Sequence, residues 1–412
     1  MAANLYVHFP FCRSRCSYCS LYSRVGASPA DHVAYVARIA DAITQKFKSA
    51  STQTLSTLYF GGGSPALCDL SPLRDALVPL LGESTEFTVE LHPLDVTPAK
   101  LDELKSIGVN RISMGVQSLD DDILRAMGRG YTASDAARAF ALIKSRFDNA
   151  GIDLILGYPG DPTTRNAEAL LAPLANWGLR HCSVYSLQNE RGLKGVPDDE
   201  TVLDGIKSAA RFLKSIGLER YEISNYAAPG FECRHNFAVW RGEDYIGLGD
   251  GAYGREGLKR TRGILQNSVN GERGTGNRER NRPLWVGATH GEATKPSEMR
   301  LSRSDQVWVS EANCEAAARP RASAEGTGNG KRSENSLIAY KTTEVSPLED
   351  LKERTLFRLR TRDGIDSSQF PEWRPTLDRF VSEGLLVKVG ESVYQLTERG
   401  TEVCDSILEE LV

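Results

Sequence analysis

No run of eighteen or more apolar residues occurs in this 412-residue chain, so it offers no candidate transmembrane helix. Neither sign of charge dominates: 50 Lys and Arg stand against 54 Asp and Glu, a formal −4. That balance supplies no overall pull toward nucleic acid. No basic head, apolar core and small-residue cleavage site opens the chain, which runs straight into a first strand. Peripheral membrane contact stays open. No spaced disulfide framework is visible either. Of eight Cys, three crowd into one loop and five (Cys68, Cys182, Cys233, Cys314, Cys404) are scattered as plain thiols. This usage fits a reducing cytoplasm.

What is present is concentrated near the start. Leu5 to Cys19 reads LYVHFPFCRSRCSYC, a strand-like run ending in Cys12, Cys16 and Cys19. Three close thiolates can hold three corners of one metal centre and supply no fourth. A structural zinc site closes with four ligands, whereas a catalytic centre keeps one position open. Iron–sulfur clusters ordinarily use four thiolates, so three point to a 4Fe–4S cluster with one exchangeable iron. A zinc site completed by a distant Cys, or by His8, is the other reading of the spacing.

From residue 5 to about 227 strands and helices alternate. Strands are expected at Leu5–Phe9, Thr57–Phe60, Phe87–Leu91, Arg111–Val116, Ile152–Leu156 and Cys182–Leu187, with Tyr221–Ser224 strand-like. Between them run helices: Val33, Val36, Ile39, Ile43 and Phe47 share one face, Ser71-Pro72 opens a second as N-cap and first-turn proline, and Thr97-Pro98 opens a third that Gly108 closes. Further helices are expected around 136–147, 167–177 and 202–216. Such alternation predicts a parallel sheet curled into a full or partial (β/α) barrel. Chemistry in such barrels sits at the C-terminal strand ends. The three-Cys loop, Gly61-Gly62-Gly63, Glu90-x-His92-Pro93, Gln117, Asp153 to Tyr158 and Tyr185-Ser186 all fall there.

Each of these has a physical reading. Consecutive glycines in Gly61-Gly62-Gly63-Ser64-Pro65 let backbone groups approach a ligand closely, although such a run also serves an ordinary tight turn. Glu90 could bond ribose hydroxyls or stand as a solvated carboxylate. Asp153 lies inside an apolar run and needs a partner or a ligand, since an unpaired buried charge is costly.

The three-Cys loop, with the aromatic Tyr18 just before its third Cys, resembles the radical S-adenosylmethionine (SAM) superfamily. There SAM chelates the open iron, and reduction cleaves it to a 5′-deoxyadenosyl radical. The strings YVHFPFC, GVNRISMGVQSLDDDIL (108–124), GIDLILGYPG (151–160) and YEISNYAAPGFECRHN (221–236), then WRGEDYIGLG (240–249), resemble a narrower family. It comprises the oxygen-independent coproporphyrinogen III oxidases and their HemW-type heme-chaperone relatives. The resemblance covers residue 4 to about 258 and about 335 to the C-terminus. It implies SAM contacts at Tyr6, Gly62, Gly63, Ser64, Glu90, Gln117, Arg129 and Asp153, the glycine turn and Glu90 serving the first SAM.

Two features separate the branches. The oxidase loop carries a further Cys two places on, where this chain has Leu21. The CRHN string and Tyr185-Ser186-Leu187 with Glu190 match the chaperone branch, in which H-N-x-x-Y-W is thought to engage heme. Here that motif is His235-Asn236-Phe237-Ala238-Val239-Trp240, with Val239 in place of the tyrosine. His235 is thus the candidate heme ligand, against a structural hydrogen-bonding role. Other departures are Ser20-Leu21 for Asp-Phe, His92 for Asn, and Tyr253 where His is frequent.

Three segments follow: a radical SAM partial barrel over 1–258, an Arg/Gly-rich insertion over 259–335 expected to be disordered, and a winged-helix-like domain over 336–412. The insertion is expected to be dispensable for cluster assembly. The last domain holds helices near Leu348–Leu359 and Trp373–Gly384, a hairpin over Val387–Leu396 and a terminal helix over Thr401–Leu411. Its second helix mixes Arg374 and Arg379 with Asp378 and Glu383, which is no basic reading face; a lid or docking domain over the barrel mouth is expected. The resemblance implies a cytoplasmic protein binding a 4Fe–4S cluster, SAM and heme, passing heme to an apoprotein, with no nucleic acid partner. The alternatives are coproporphyrinogen III dehydrogenation, which turns propionates into vinyls, and, more distantly, RNA modification. Whether SAM cleavage drives a reaction is left open.

Overall fold

The computed structural model describes residues 3–48, 54–264 and 339–411. Six parallel strands follow one another with helical crossovers: β1 (Ala3–Phe9), β2 (Leu55–Gly62), β3 (Glu86–Leu91), β4 (Arg111–Gln117), β5 (Ala150–Leu156) and β6 (His181–Ser186). The short β7 (Glu219–Arg220) and β8 (Asn225–Ala227) extend the β6 edge antiparallel. On the other side β9 (Tyr245–Leu248) pairs parallel with β1, and β10 (Tyr253–Glu256), β11 (Lys259–Ile264) and β12 (Ala339–Glu344) continue antiparallel. The order is β12-β11-β10-β9-β1-β2-β3-β4-β5-β6-β8-β7, open at both ends. This is a partial barrel, with its seam between the β7 and β12 edges.

Strand alternation sends successive side chains to opposite faces, and here the two faces differ in kind. Outward lie Leu5, Val7, Phe9, Leu58, Phe60, Val89, Ile112 and Met114, all buried under the helices in one core. Register neighbours on the inner face are Asn4, Thr57 and Glu86, then Tyr6, Tyr59, Thr88 and Arg111, then the pairs Glu90 with Ser113 and Asp153 with Ser183. A packed (β/α) barrel is filled by branched apolar side chains. This lumen is polar.

The helices form where their caps allow. Helix α1 (Pro29–Phe47) begins with a Ser28–Asp31 capping box, a device that typically contributes about 1 kcal/mol. It buries Tyr35, Val36, Ile39, Ile43 and Phe47; Val33, placed on this face by the sequence pattern, is 68% exposed. Thr97 caps α2 (Pro98–Ser106), and Gly108 follows it with φ 97°. Ser71 is not an N-cap: its N–H and hydroxyl bind Asp69, and 71–80 is a 3-10 turn, one α turn (Arg74–Leu77) and a second 3-10 turn. Proline at 72 and 79 explains the broken pattern. Tyr221–Ser224 is not a strand but the turn between β7 and β8.

Two helices went unread in the sequence, α3 (Asp121–Met127) and α7 (Arg234–Trp240); between them α4 (Ala133–Lys144), α5 (Thr163–Leu171) and α6 (Asp199–Ser215) were expected. The insertion assigned to 259–335 begins as an ordered strand, because β11 pairs with β12 from Lys259↔Glu344 to Ile264↔Ala339. Its remainder lies outside the described residues, as does Cys314.

The C-terminal domain has its own core around Leu377, Phe380, Tyr394 and Ile407. It comprises α8 (Pro347–Arg358), α9 (Arg374–Ser382), α10 (Glu398–Glu402), α11 (Cys404–Glu409) and a sheet of β13 (Ile365–Asp366), β14 (Leu386–Val389) and β15 (Val393–Leu396). Helix, helix and hairpin make it winged-helix-like, with the expected terminal helix broken at Val403. It docks at the end of the barrel away from the cysteine loop. Arg354 pairs with Asp244 just before β9 at 2.6 Å, and buried Arg260 pairs with Asp350 and Glu353 at 2.6 and 2.7 Å. Phe357 meets Trp240 of α7 edge-on, and Glu222 forms a β-bridge with Thr361. The expected lid over the mouth is therefore a brace across the seam.

Candidate cluster and cofactor site

The cysteine loop leaves β1 and returns through a two-residue parallel pairing of Phe11-Cys12 with Arg24-Val25. Cys12, Cys16 and Cys19 are half-buried at the C-terminal strand ends and form no disulfide. Neighbouring elements hold their loop: Ser17 N–H donates to Met127 O at 3.2 Å, and Ser17 Oγ lies 2.9 Å from Tyr158 Oη. Among the described residues no three His, Cys, Asp or Glu side chains close on a single-ion site. His8 does not complete a zinc site. Its Nδ1 lies 3.0 Å from Tyr6 Oη and its Nε2 3.0 Å from Tyr22 O, and burial lowers its pKa to about 4.

The glycine turn is built to touch that loop. A Cβ on Gly63 would lie 2.4 Å from Phe11 O and 2.8 Å from Cys12 Sγ. Gly62, at φ 116°, leaves no room either: a Cβ there would lie 2.6 Å from Phe9 O. Only glycine permits this approach. The Ser64 hydroxyl donates to Asp95 Oδ2 at 2.6 Å. Beside the turn, Glu90 accepts a short hydrogen bond from Tyr59 Oη.

Arg129 arrives through local helix chemistry. Asp120 caps α3 by accepting from Asp122 and Ile123 N–H, and the helix ends at Gly128 with φ 79°. The next residue, Arg129, is thereby turned onto the cysteine loop. Its Nη1 sits 3.5 Å from Cys16 Sγ and 3.4 Å from Tyr18 Oη, and its Nη2 donates to Gly115 O at 2.8 Å. Gln117 is the one non-glycine residue with positive φ, 69°, among the described residues, beside a register shift of β4 against β5. Backbone strain of this kind clusters at active sites and ligand clamps.

Asp153 lies lower in the lumen. Ser113 Oγ donates to it at 3.0 Å and Ser183 also bonds it; burial nevertheless raises its pKa. Tyr6 lies between the ends, its ring beneath Gly61 and stacked on Tyr59. His235 is not part of the cysteine end. It opens α7 beside Thr57 near the start of β2, 1% exposed, with burial lowering its pKa to about 3.

The structure thus gathers the Cys, the glycine turn, Ser64, Glu90, Gln117 and Arg129 at one end, and sets His235 at the other. Sequence reasoning missed Asp95, Tyr59, Thr57 and Tyr131, whose hydroxyl holds the Gly115–Val116 carbonyls and accepts from Arg129 Nε at 3.0 Å. The period-2 alternation through Thr57, Tyr59 and Gly61 was a signal for two of them.

The donor set fits a cluster with one open position. Three thiols share one loop, with the Arg129 guanidinium at Cys16 and the glycine cradle against Cys12. Comparison with known proteins agrees. A model of the radical SAM superfamily matches residues 6–167. Heme chaperone HemW of Bacillus subtilis (strain 168) is 32% identical over 276 residues, covering 63% of this chain and 72% of the relative. Heme chaperone HemW of Synechocystis sp. is 33% identical over 271 residues, 61% of this chain and 66% of the relative, so the match spans just under two thirds of that protein. The solved coproporphyrinogen III oxidase (HemN) of Escherichia coli, a radical SAM enzyme, shares the fold with a TM-score of 0.71 at 18% identity over 100% of this chain and 91% of that one. The chain belongs to the radical SAM superfamily, as a HemW-type member, and that family implies a 4Fe–4S cluster and SAM.

Proposed function

We propose that this chain is a cytoplasmic heme chaperone that holds a 4Fe–4S cluster on Cys12, Cys16 and Cys19, binds SAM beside it, binds heme through His235 and delivers it to an apoprotein. When bound, cluster and SAM supply reductive carbon–sulfur cleavage. The chain's own residues would do the holding. Gly62, Gly63 and Ser64 offer backbone and hydroxyl groups to the SAM amino acid moiety, and Glu90 faces its ribose. Gln117, Arg129, Asp153 and Tyr6 are further contacts along the lumen.

One observation carries the heme assignment. Thr57 Oγ1 donates to Asn4 Oδ1 at 2.9 Å and lies 2.8 Å from His235 Nδ1. With its one proton given to Asn4, Thr57 accepts from His235, which places the imidazole proton on Nδ1. Nε2 keeps its lone pair, buried and with no hydrogen-bond partner among the described residues. A neutral imidazole with its far nitrogen oriented by an acceptor is the form that ligates metals. Val239, where the branch has tyrosine, is buried beside Trp240 and Tyr245.

The test is anaerobic reconstitution with iron and sulfide followed by heme titration. Near one heme per chain, lost in His235→Ala while iron is retained, supports the chaperone. Heme binding unchanged by His235→Ala would sink it.

A second reading, coproporphyrinogen III dehydrogenation, is favoured by the polar lumen beneath the cysteine end, with Glu90, Ser113, Asp153 and Ser183 along it. Incubation with coproporphyrinogen III, SAM and a reductant decides: release of carbon dioxide with vinyl formation would establish the enzyme despite Leu21.

A further inference from the structure

Asp95 is buried, 6% exposed, on the loop that follows β3, five residues beyond Glu90. Its carboxylate joins two other loops. Oδ2 accepts the Ser64 hydroxyl of the glycine turn at 2.6 Å, and Oδ1 accepts Arg13 Nε of the cysteine loop at 2.9 Å, with a second bond from Arg13 Nη2. Arg13 is the residue after Cys12, and its side chain is more than half exposed, whereas the Asp95 side chain is 2% exposed. The same loop continues the chain of contacts: His92 Nδ1 accepts Leu94 N–H, and the His92 ring meets Tyr131 edge-on. Tyr131 in turn holds Arg129, which reaches Cys16. One carboxylate therefore ties together the three segments that carry the cysteines, the glycine turn and Glu90.

The direction of the Ser64 bond adds chemistry. A serine hydroxyl has one proton and two lone pairs. Asp95 takes the proton, so Ser64 can present only lone pairs to a ligand. Such an oxygen, with a carboxylate behind it, suits a donor, above all an ammonium group. Gly63 beside it is pressed against Cys12, so the ammonium of an amino acid moiety set there would lie next to the cysteine loop.

We propose that Asp95 is a positioning residue for SAM: it locks the glycine turn to the cysteine loop and fixes Ser64 as an acceptor for the SAM ammonium group. The inference rests on the reading of this end as the cluster and SAM site, and is independent of the heme assignment.

The test uses the full chain, reconstituted anaerobically. Iron content is measured first, then SAM affinity from the change in the electron paramagnetic resonance spectrum of the reduced protein. Asp95→Ala should keep its iron and lose SAM affinity by at least about tenfold, the weight of a hydrogen bond to a charged group. Ser64→Ala should lose a similar factor, and the double variant little more, since one interaction is being removed twice. Asp95→Asn keeps an acceptor for Ser64 and should stay within about threefold of the parent. SAM affinity within twofold of the parent in an iron-loaded Asp95→Ala protein overturns the proposal, as do additive losses in the double variant. Should Asp95→Ala fail to load iron, Asp95→Asn decides: loaded yet unable to bind SAM, it overturns the assignment of Ser64 as the acceptor. A parental chain that loads iron and binds no SAM would instead sink the reading of the site itself.

Discussion

Arg129 places one guanidinium nitrogen 3.5 Å from Cys16 Sγ and another 2.8 Å from the Gly115 carbonyl. It thus ties a cation beside Cys16 to the strained end of β4, where Gln117 takes its positive φ. A positive charge there favours the more negative, reduced form of a cluster. Arg129→Met should therefore lower the cluster midpoint potential, by on the order of 50–100 mV for one charge several ångströms away at an effective dielectric near 20. Arg129→Lys should recover part of the shift. Anaerobic potentiometry reads both, and a Met variant at the parental potential refutes the electrostatic role.

Thr57→Val removes the acceptor that keeps the His235 proton on Nδ1. Losing such an orienting partner commonly weakens metal affinity by about 10–100-fold. Heme affinity should fall in that range while iron content stays at the parental level. The measurement is a heme absorbance titration on the reconstituted variant. Parental affinity would mean that Thr57 does not set the tautomer.

Glu222 lies at the seam, where it bridges to Thr361 of the C-terminal domain. Burial raises its pKa to about 7, opposed by hydrogen bonds from Asn225 and Ser224. A carboxyl whose pKa rises on folding stabilises the fold below its unfolded pKa, and that contribution is lost as pH rises through the folded one. Stability should thus fall between about pH 4.5 and pH 7, at up to ~1.4 kcal/mol per pH unit from this group. Glu222→Gln should flatten that slope and melt higher than the parent at pH 8. Parallel melting curves across pH for the two proteins would exclude Glu222 as the source.

The ends of the undescribed stretch are held side by side, since Ile264 and Ala339 are Cα partners across the β11–β12 ladder. A short turn can therefore replace 265–338. An Asn-Gly junction suits such a hairpin. The shortened chain should assemble its cluster with parental iron content. Loss of iron from a folded deletion variant would show that the stretch contributes to the site.

Much of this was legible in the sequence because it depended on local rules. The six parallel strands followed from alternation and caps, and the C-terminal strand ends collected the Cys, glycine and Glu90 positions as barrel geometry requires. The remainder depended on long-range pairing. Nothing near His235 announces that Thr57, far back on β2, will hold its Nδ1. Asp95 reads as one acid in a polar turn until Arg13 and Ser64 fold onto it. The brace position of the C-terminal domain rests on Arg260, Arg354 and their acidic partners, whose pairing no periodicity encodes. Helix α7, seven residues long, carries the chemically loaded string RHNFAVW, which is too short to show a helical period.

The two faces of the barrel strands have an evolutionary corollary. Fold stability is vested in the outward residues such as Leu58, Val89 and Ile112, each fully buried under the helices. The lumen is lined by their immediate neighbours, Tyr59, Glu90 and Ser113, which look inward. Substitutions at alternate positions of one strand are therefore answerable to different demands. The lumen can drift toward a new ligand, one residue at a time, while the scaffold that closes around it stays fixed.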